Sequence, residues 1–263
     1  MNNCKYIDTH IHLDDKRFAA DRNSVIQSFL GSIDYIINPA VNIPSCKTVK
    51  AITDQYEFIY AAYGIHPHDA KYADDNAIAA IEEFLKDEKA AGVGEIGLDY
   101  HYNFSPKEEQ IRVFKEFLRL AKKTNKPIII HNRESDTDML KILEEEYPSG
   151  AVGQCHCFSS TKEMAERLLE MGFHISFTGS ITFKKNSYSE IIDMVPLDKL
   201  LLETDAPYMA PFPFRGKRCD SLMIPYIVKK IAEIKNINEE IIYNETYNNS
   251  IKLFQLKKRA DDI

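Results

Sequence analysis

Tyr6-Ile7-Asp8-Thr9-His10-Ile11-His12-Leu13-Asp14 is a short apolar run that ends in two histidines. Side chains two apart on a strand point to the same side. His10 and His12 are therefore expected to face one interior together. Seven more short apolar runs follow, at 35–38, 58–63, 92–96, 127–130, 151–154, 173–177 and 200–202. With the first, at 6–8, they number eight. Strands buried on both faces read as continuous apolar runs, because helices cover a parallel sheet. The segments between them carry helical spacing, as in Ile111, Phe114, Leu118 and Ala121. Ile78, Ile81 and Leu85 form a similar stripe, as do Ile224, Ile227, Val228 and Ile231. Ser105-Pro106 with Glu108 predicts a capped helix start, and Ser160 with Glu163 predicts another that Gly172 closes.

Eight strands alternating with helices predict an α/β fold, a closed TIM (β/α)₈ barrel. An open doubly wound sheet is the alternative, but no GxGxxG or GxxxxGK[ST] supports it. No repeat or linker divides residues 1–263, which are read as a single domain.

Composition narrows the functions. The chain has 263 residues, 44% hydrophobic and 28% charged, with a net charge of −7. Proteins that grip long duplexes through many phosphates are usually basic. A nucleic-acid substrate would therefore be held at a small local site. Five cysteines at irregular spacing argue against a disulfide framework and fit a reducing, cytoplasmic compartment. No signal peptide or membrane span is expected, and the chain is read as a monomer.

The histidines carry the chemistry. Of eight, six sit where a predicted strand ends: His10 and His12 after the first, His66 and His68 after the third, His131 after the fifth and His156 after the sixth. Glu95 lies in the fourth strand and Asp205 just after the eighth. The C-terminal ends of barrel strands converge on one mouth. Imidazoles and carboxylates brought together there suit zinc, manganese, iron or nickel better than calcium. Two ions need a bridging group, and Glu95, with two oxygens and a central place in strand order, is the natural candidate.

These residues also match a family pattern. Residues 6–14 resemble the opening of TatD-type deoxyribonucleases. So do Gly64-Ile65-His66-Pro67-His68, Gly94-Glu95-Ile96-Gly97-Leu98-Asp99-Tyr100, Ile130-His131-Asn132-Arg133, His156-Cys157-Phe158-Ser159 and Glu203-Thr204-Asp205-Ala206-Pro207-Tyr208. Arg215-Gly216-Lys217-Arg218 resembles the basic motif that follows. The resemblance runs along essentially the whole chain. It implies a TIM barrel with one or two divalent ions (Mg, Mn or Zn). By position, His10, His12, Glu95 and Asp205 would hold the first ion and Glu95, His131 and His156 the second. His66 and His68 would meet substrate phosphate. Members of the family are magnesium- or manganese-dependent nucleases of DNA, some of them 3′-exonucleases; some relatives remove D-amino acids from tRNA. The chain departs from the pattern at Cys219-Asp220-Ser221, where the family has Asn-Glu-Pro. It also has Glu134-Ser135 for Asp-Ala, and His101 for a tyrosine.

The leading reading is a hydrolase that cleaves DNA phosphodiester bonds, with Glu95 and Asp205 as catalytic carboxylates. Asp205 would orient the attacking water or take its proton; a purely ligating Asp205 is the alternative. Arg133 and Arg215 are candidates for phosphate contact, against surface salt bridging. Lys184-Lys185 could line the groove or form a solvated loop. Strand alternation would turn Cys155 and Cys157 away from the site as small buried residues, and His174 would be structural. Tyr100, Tyr102 and Phe104 would pack over the mouth, or stack on bases. The competing activity is acyl hydrolysis, by an amidohydrolase or a D-aminoacyl-tRNA deacylase, with aminoacyl-tRNA as substrate. Many such sites use a carboxylated lysine where this chain has Glu95. A scaffold with a dead site would lack ligands, and none of these is lost.

Overall fold

Each of the eight apolar runs becomes a strand, with a helix between each and the next. The computed structural model describes residues 5–148, 150–183 and 188–257; Lys184-Lys185 lies outside them. In chain order the elements are β1 (Tyr6–Asp8), α1 (Arg22–Ser28), β2 (Ile33–Pro39), α2 (Ile43–Gln55), β3 (Ile59–Tyr63), α3 (Asp75–Phe84), β4 (Ala90–Asp99) and α4 (Lys107–Thr124). Then follow β5 (Ile128–Arg133), α5 (Asp136–Glu146), β6 (Gly153–Cys155), α6 (Lys162–Glu170), β7 (His174–Phe177), α7 (Ser189–Met194), β8 (Leu200–Leu202), α8 (Ile224–Lys235) and α9 (Glu239–Phe254). The strands form one parallel sheet in sequence order. Every residue of β2, β3 and β4 is buried, as a sheet covered by helices requires.

The sheet curls nearly shut, and residues just beyond the strand ends close it. Thr9 N donates to Leu202 O (3.0 Å), Asp205 N to His10 O (2.9 Å) and His12 N to Ala206 O (2.8 Å). Ile11 and Ala206 form a lone parallel bridge there. β1 itself stops at Asp8, so His10 and His12 lie past the strand rather than at its end.

Two predicted helix starts are shifted. α4 begins after Pro106, with no side-chain cap; Ser105 Oγ instead donates to His68 O (2.7 Å) and accepts from Lys71 N (3.1 Å). α6 is capped by Thr161, whose hydroxyl accepts from Met164 N (3.1 Å), while Ser160 donates to Asp136. In both cases a serine with a tertiary partner gives up the cap. Gly172 does follow the end of α6, at φ +95°.

One glycine bears directly on the site. Gly97 in β4 has φ +142°, and a Cβ there would lie 2.0 Å from His131 O. Only glycine lets β4 run this close to β5, which carries His131 alongside Glu95. Among the described residues, no helix is long and apolar enough to cross a membrane.

Candidate metal centre

Glu95 is the hub. Its side chain is almost wholly buried and its two oxygens face two different sets of imidazoles. Oε2 lies 3.3 Å from His10 Nε2 and 3.5 Å from His12 Nε2. Oε1 lies 2.8 Å from His156 Nε2, 3.0 Å from His131 Nδ1 and 3.3 Å from His66 Nε2. Asp205 closes the first set, with Oδ1 3.6 Å from His12 Nε2 and 4.0 Å from His10 Nε2. Asp205 sits in the left-handed region at φ +54°, where the chain turns out of β8 toward the mouth.

Local hydrogen bonds aim these rings. His12 Nδ1 lies 3.2 Å from Pro39 O, and a carbonyl only accepts, so Nδ1 carries the proton. The lone pair of a neutral His12 is then on Nε2, which faces Glu95 Oε2, Asp205 Oδ1 and His10 Nε2 (3.2 Å). Electron pairs that face one another in a buried pocket are the donor set a cation fits. His66 Nδ1 accepts from His68 N (3.1 Å), which leaves its Nε2 toward Glu95. Among the described residues, three groups offer converging ligand atoms: His10, His12 and Asp205; His66, Glu95 and His131; and His10, His156 and Glu203.

The electrostatics follow from burial and proximity. Burial lowers His10 well below its ordinary value and takes His66 to about 4. Burial alone would raise Glu95, but His156, His66 and His10 around it hold it well below the usual carboxylate range. Burial opposes protonation of His156, yet Glu95 outweighs it and lifts the ring to about 9. Burial also raises Asp205.

His68 stands partly exposed next to the centre. Its Nε2 lies 2.9 Å from Asp99 Oδ2, and the same oxygen lies 3.0 Å from His131 Nε2. His68 thus belongs with Asp99 beside the hub. Arg133 lies with its guanidinium 4.7 Å over the Tyr102 ring, and Arg215 4.7 Å over Phe183. Among the described residues neither arginine makes an ion pair. His101 pairs with Glu134 on the surface (2.6 Å).

Cys157 corrects an expectation. β6 ends at Cys155, and Cys157 has φ +45°, so strand alternation does not govern it. It is only partly buried. Its amide donates to Glu203, and its thiol lies near Thr178 Oγ1 (3.7 Å). The nearby Asp205 and Glu203 carboxylates add to burial in raising the thiol well above its ordinary value. His174, at the start of β7, lies at the opposite end of the strands.

A sequence profile described as TatD related DNase matches residues 7–255. The chain belongs to the TatD-related DNase family. It is 38% identical over 251 residues to a Bacillus subtilis protein named uncharacterized metal-dependent hydrolase YabD, covering 95% of this chain and 98% of that one. It is 29% identical over 257 residues to the 3′-5′ ssDNA/RNA exonuclease TatD of Escherichia fergusonii, covering 94% and 98%. The crystal structure of the TatD homologue YJJV from Escherichia coli superposes with a TM-score of 0.91 at 30% identity, over 97% of this chain and all of that one.

In this TatD-family chain the structure sets Asp8, Asp99 and Glu203, acids to which the sequence assigns no role, around the centre. Asp8 is fully buried and accepts from His10 N (3.2 Å), Thr204 N (3.0 Å), Thr204 Oγ1 (2.6 Å) and Ser221 Oγ (2.7 Å). The Ser221 bond shows how the departing Cys219-Asp220-Ser221 segment is anchored. Glu203 is buried under His156, with Oε1 3.8 Å from His156 Nδ1 and Oε2 2.6 Å from Gln154 Nε2. Burial pushes Glu203 up to about 8. Each acid stands two or four residues from a recognised one: Asp8 before His10, Asp99 after Glu95, Glu203 before Asp205. Their place within the same short motifs as His10, Glu95 and Asp205 was the signal that could have found them.

Proposed function

We propose that this TatD-family chain hydrolyses phosphodiester bonds of single-stranded DNA, working from an end, with two divalent cations held at the barrel mouth. The reading rests on the division of Glu95: one oxygen toward His10 and His12, the other toward His66, His131 and His156. A carboxylate shared in this way is the bridge a two-ion phosphodiesterase needs.

In this reading His10, His12, Glu95 and Asp205 hold one cation, and Glu95, His131 and His156 the other, with His66 beside them. Magnesium, manganese or zinc bound there would neutralise phosphate charge and ease the loss of a proton from water. Asp205 takes that proton, a role suited to a carboxylate held beside the attacking water. The water oxygen joins phosphorus and the bond from phosphorus to one sugar oxygen breaks. Arg133 and Arg215, with no carboxylate partner among the described residues, supply positive charge for flanking phosphates. The E. fergusonii relative's name supports the substrate class.

The test offers the full chain, stripped and reloaded with Mg²⁺, Mn²⁺ or Zn²⁺, labelled single-stranded DNA and D-aminoacyl-tRNA. Release of nucleotides that Glu95→Ala abolishes is the expected result. Release of the amino acid alone would replace this reading with acyl hydrolysis. No turnover with any metal would leave a binding protein.

A further inference from the structure

We infer that Tyr102 and Phe104 form a platform on which an unpaired base of the substrate strand stacks. The inference rests on the nucleic-acid reading of the neighbouring centre and says how the strand is held. The two rings are nearly parallel, 11° apart in tilt, with centroids at 5.4 Å. They are 48% and 55% exposed. His68 meets both edge-on, at 5.5 Å from Tyr102 and 4.8 Å from Phe104. His68 in turn lies 2.9 Å from Asp99, which shares an oxygen with His131 of the centre. The platform is therefore one side chain away from the proposed reaction site.

The third aromatic of this segment shows what a purely structural ring looks like. Tyr100 donates its hydroxyl to Asp138 (2.8 Å), and Lys107 covers its ring at 3.9 Å. Tyr102 and Phe104 have no such burial. The Arg133 guanidinium, 4.7 Å from the Tyr102 ring, brings positive charge to the same spot. An aromatic face beside a cation matches a nucleotide, with its flat base and adjoining phosphate, and every base offers a π-face whatever its identity. A base inside a duplex has its faces covered by neighbours, so the platform selects unpaired ends without reading sequence.

Equilibrium binding tests this directly. A short fluorescent single strand with phosphorothioate links that resist cleavage is titrated with the full chain in manganese. A second strand has an abasic site in place of the terminal nucleotide's base. The intact strand should bind wild-type protein roughly five- to one-hundred-fold more tightly than the abasic one, as loss of one stacked base predicts. The double variant Tyr102→Ala, Phe104→Ala should lose that difference and bind both strands like the abasic one. Tyr102→Phe, Phe104→Tyr should restore it. Both rings are on the surface, so the variants should melt like wild type. Equal binding of intact and abasic strands by wild-type protein, or an unchanged difference in the double alanine variant, overturns the platform. Neither outcome depends on cleavage, so the platform and the hydrolysis reading can fail separately.

Discussion

His156 is held between two carboxylates: Nε2 lies 2.8 Å from Glu95 Oε1, and Nδ1 lies 3.8 Å from Glu203 Oε1. Glu95 belongs to the centre. Glu203 is set behind it, tied to the Cys157 amide and to Gln154. At 3.8 Å Glu203 is too far to hydrogen-bond the ring, so it acts on His156 through charge and packing. Glu203→Gln keeps the shape and removes the ionisable carboxyl. It should raise the manganese concentration needed for half-maximal activity about 10- to 100-fold. A metal titration of activity checks this, and an unchanged midpoint would assign Glu203 to packing alone.

Asp205 separates proton transfer from ligation. Asp205→Asn retains an oxygen but is a very poor base. If the carboxylate takes the proton, kcat should fall about 10²- to 10⁴-fold. Metal stoichiometry, measured by elemental analysis of the purified variant, should stay at the wild-type value. A parallel loss of bound metal would explain the fall in kcat by ligation and remove this support for proton transfer.

Ser221 offers a test of how the unusual loop is fastened. It donates to Asp8, which burial has already pushed up to about 6. Ser221→Ala removes a hydroxyl from a buried carboxylate and should cost about 1–3 kcal/mol. In a chain of this length that lowers Tm by several degrees. Calorimetry of the metal-free protein reads it; identical melting would show that Thr204 and the backbone satisfy Asp8 alone.

His174 should make stability depend on pH. Burial, with Lys199 nearby, lowers it to about 4 from an ordinary 6.5. Between those values the unfolded chain takes up a proton that the folded chain refuses. The contribution is thus fully present above pH 6.5 and is lost as pH falls toward 4, by at most about 3 kcal/mol. Urea midpoints at pH 7 and pH 4.5 should drop further for wild type than for His174→Gln. Equal drops would place the acid sensitivity in other groups, such as His10 and His66.

Much of this architecture is legible in the sequence, for a physical reason. A strand covered on both sides must be apolar throughout, so all eight runs stand out, and β1 and β8 have the expected bounds. The donors that converge on Glu95 are legible because imidazoles rarely cluster at strand ends without a task. What escaped detection was the support behind them. Asp8, Asp99 and Glu203 read as ordinary acids until the sheet curls and shows which groups each one meets. The caps of α4 and α6 escaped similarly: Ser105 and Ser160 have the right chemistry, but distant partners claim them. For Tyr102 and Phe104 the sequence allows either packing over the mouth or stacking on bases; spacing does not reveal that both rings are half-exposed beside His68.

The join between the first and last strands has a practical consequence. It is made by backbone bonds of His10, His12, Asp205 and Ala206 rather than by a full ladder. Those links also set the spacing between His12 and Asp205. A modest parting of this zipper would pull one cage of donors apart while the other strands remained laced. Gentle heating should therefore silence the catalyst, and loosen its grip on metal, well before the helices melt.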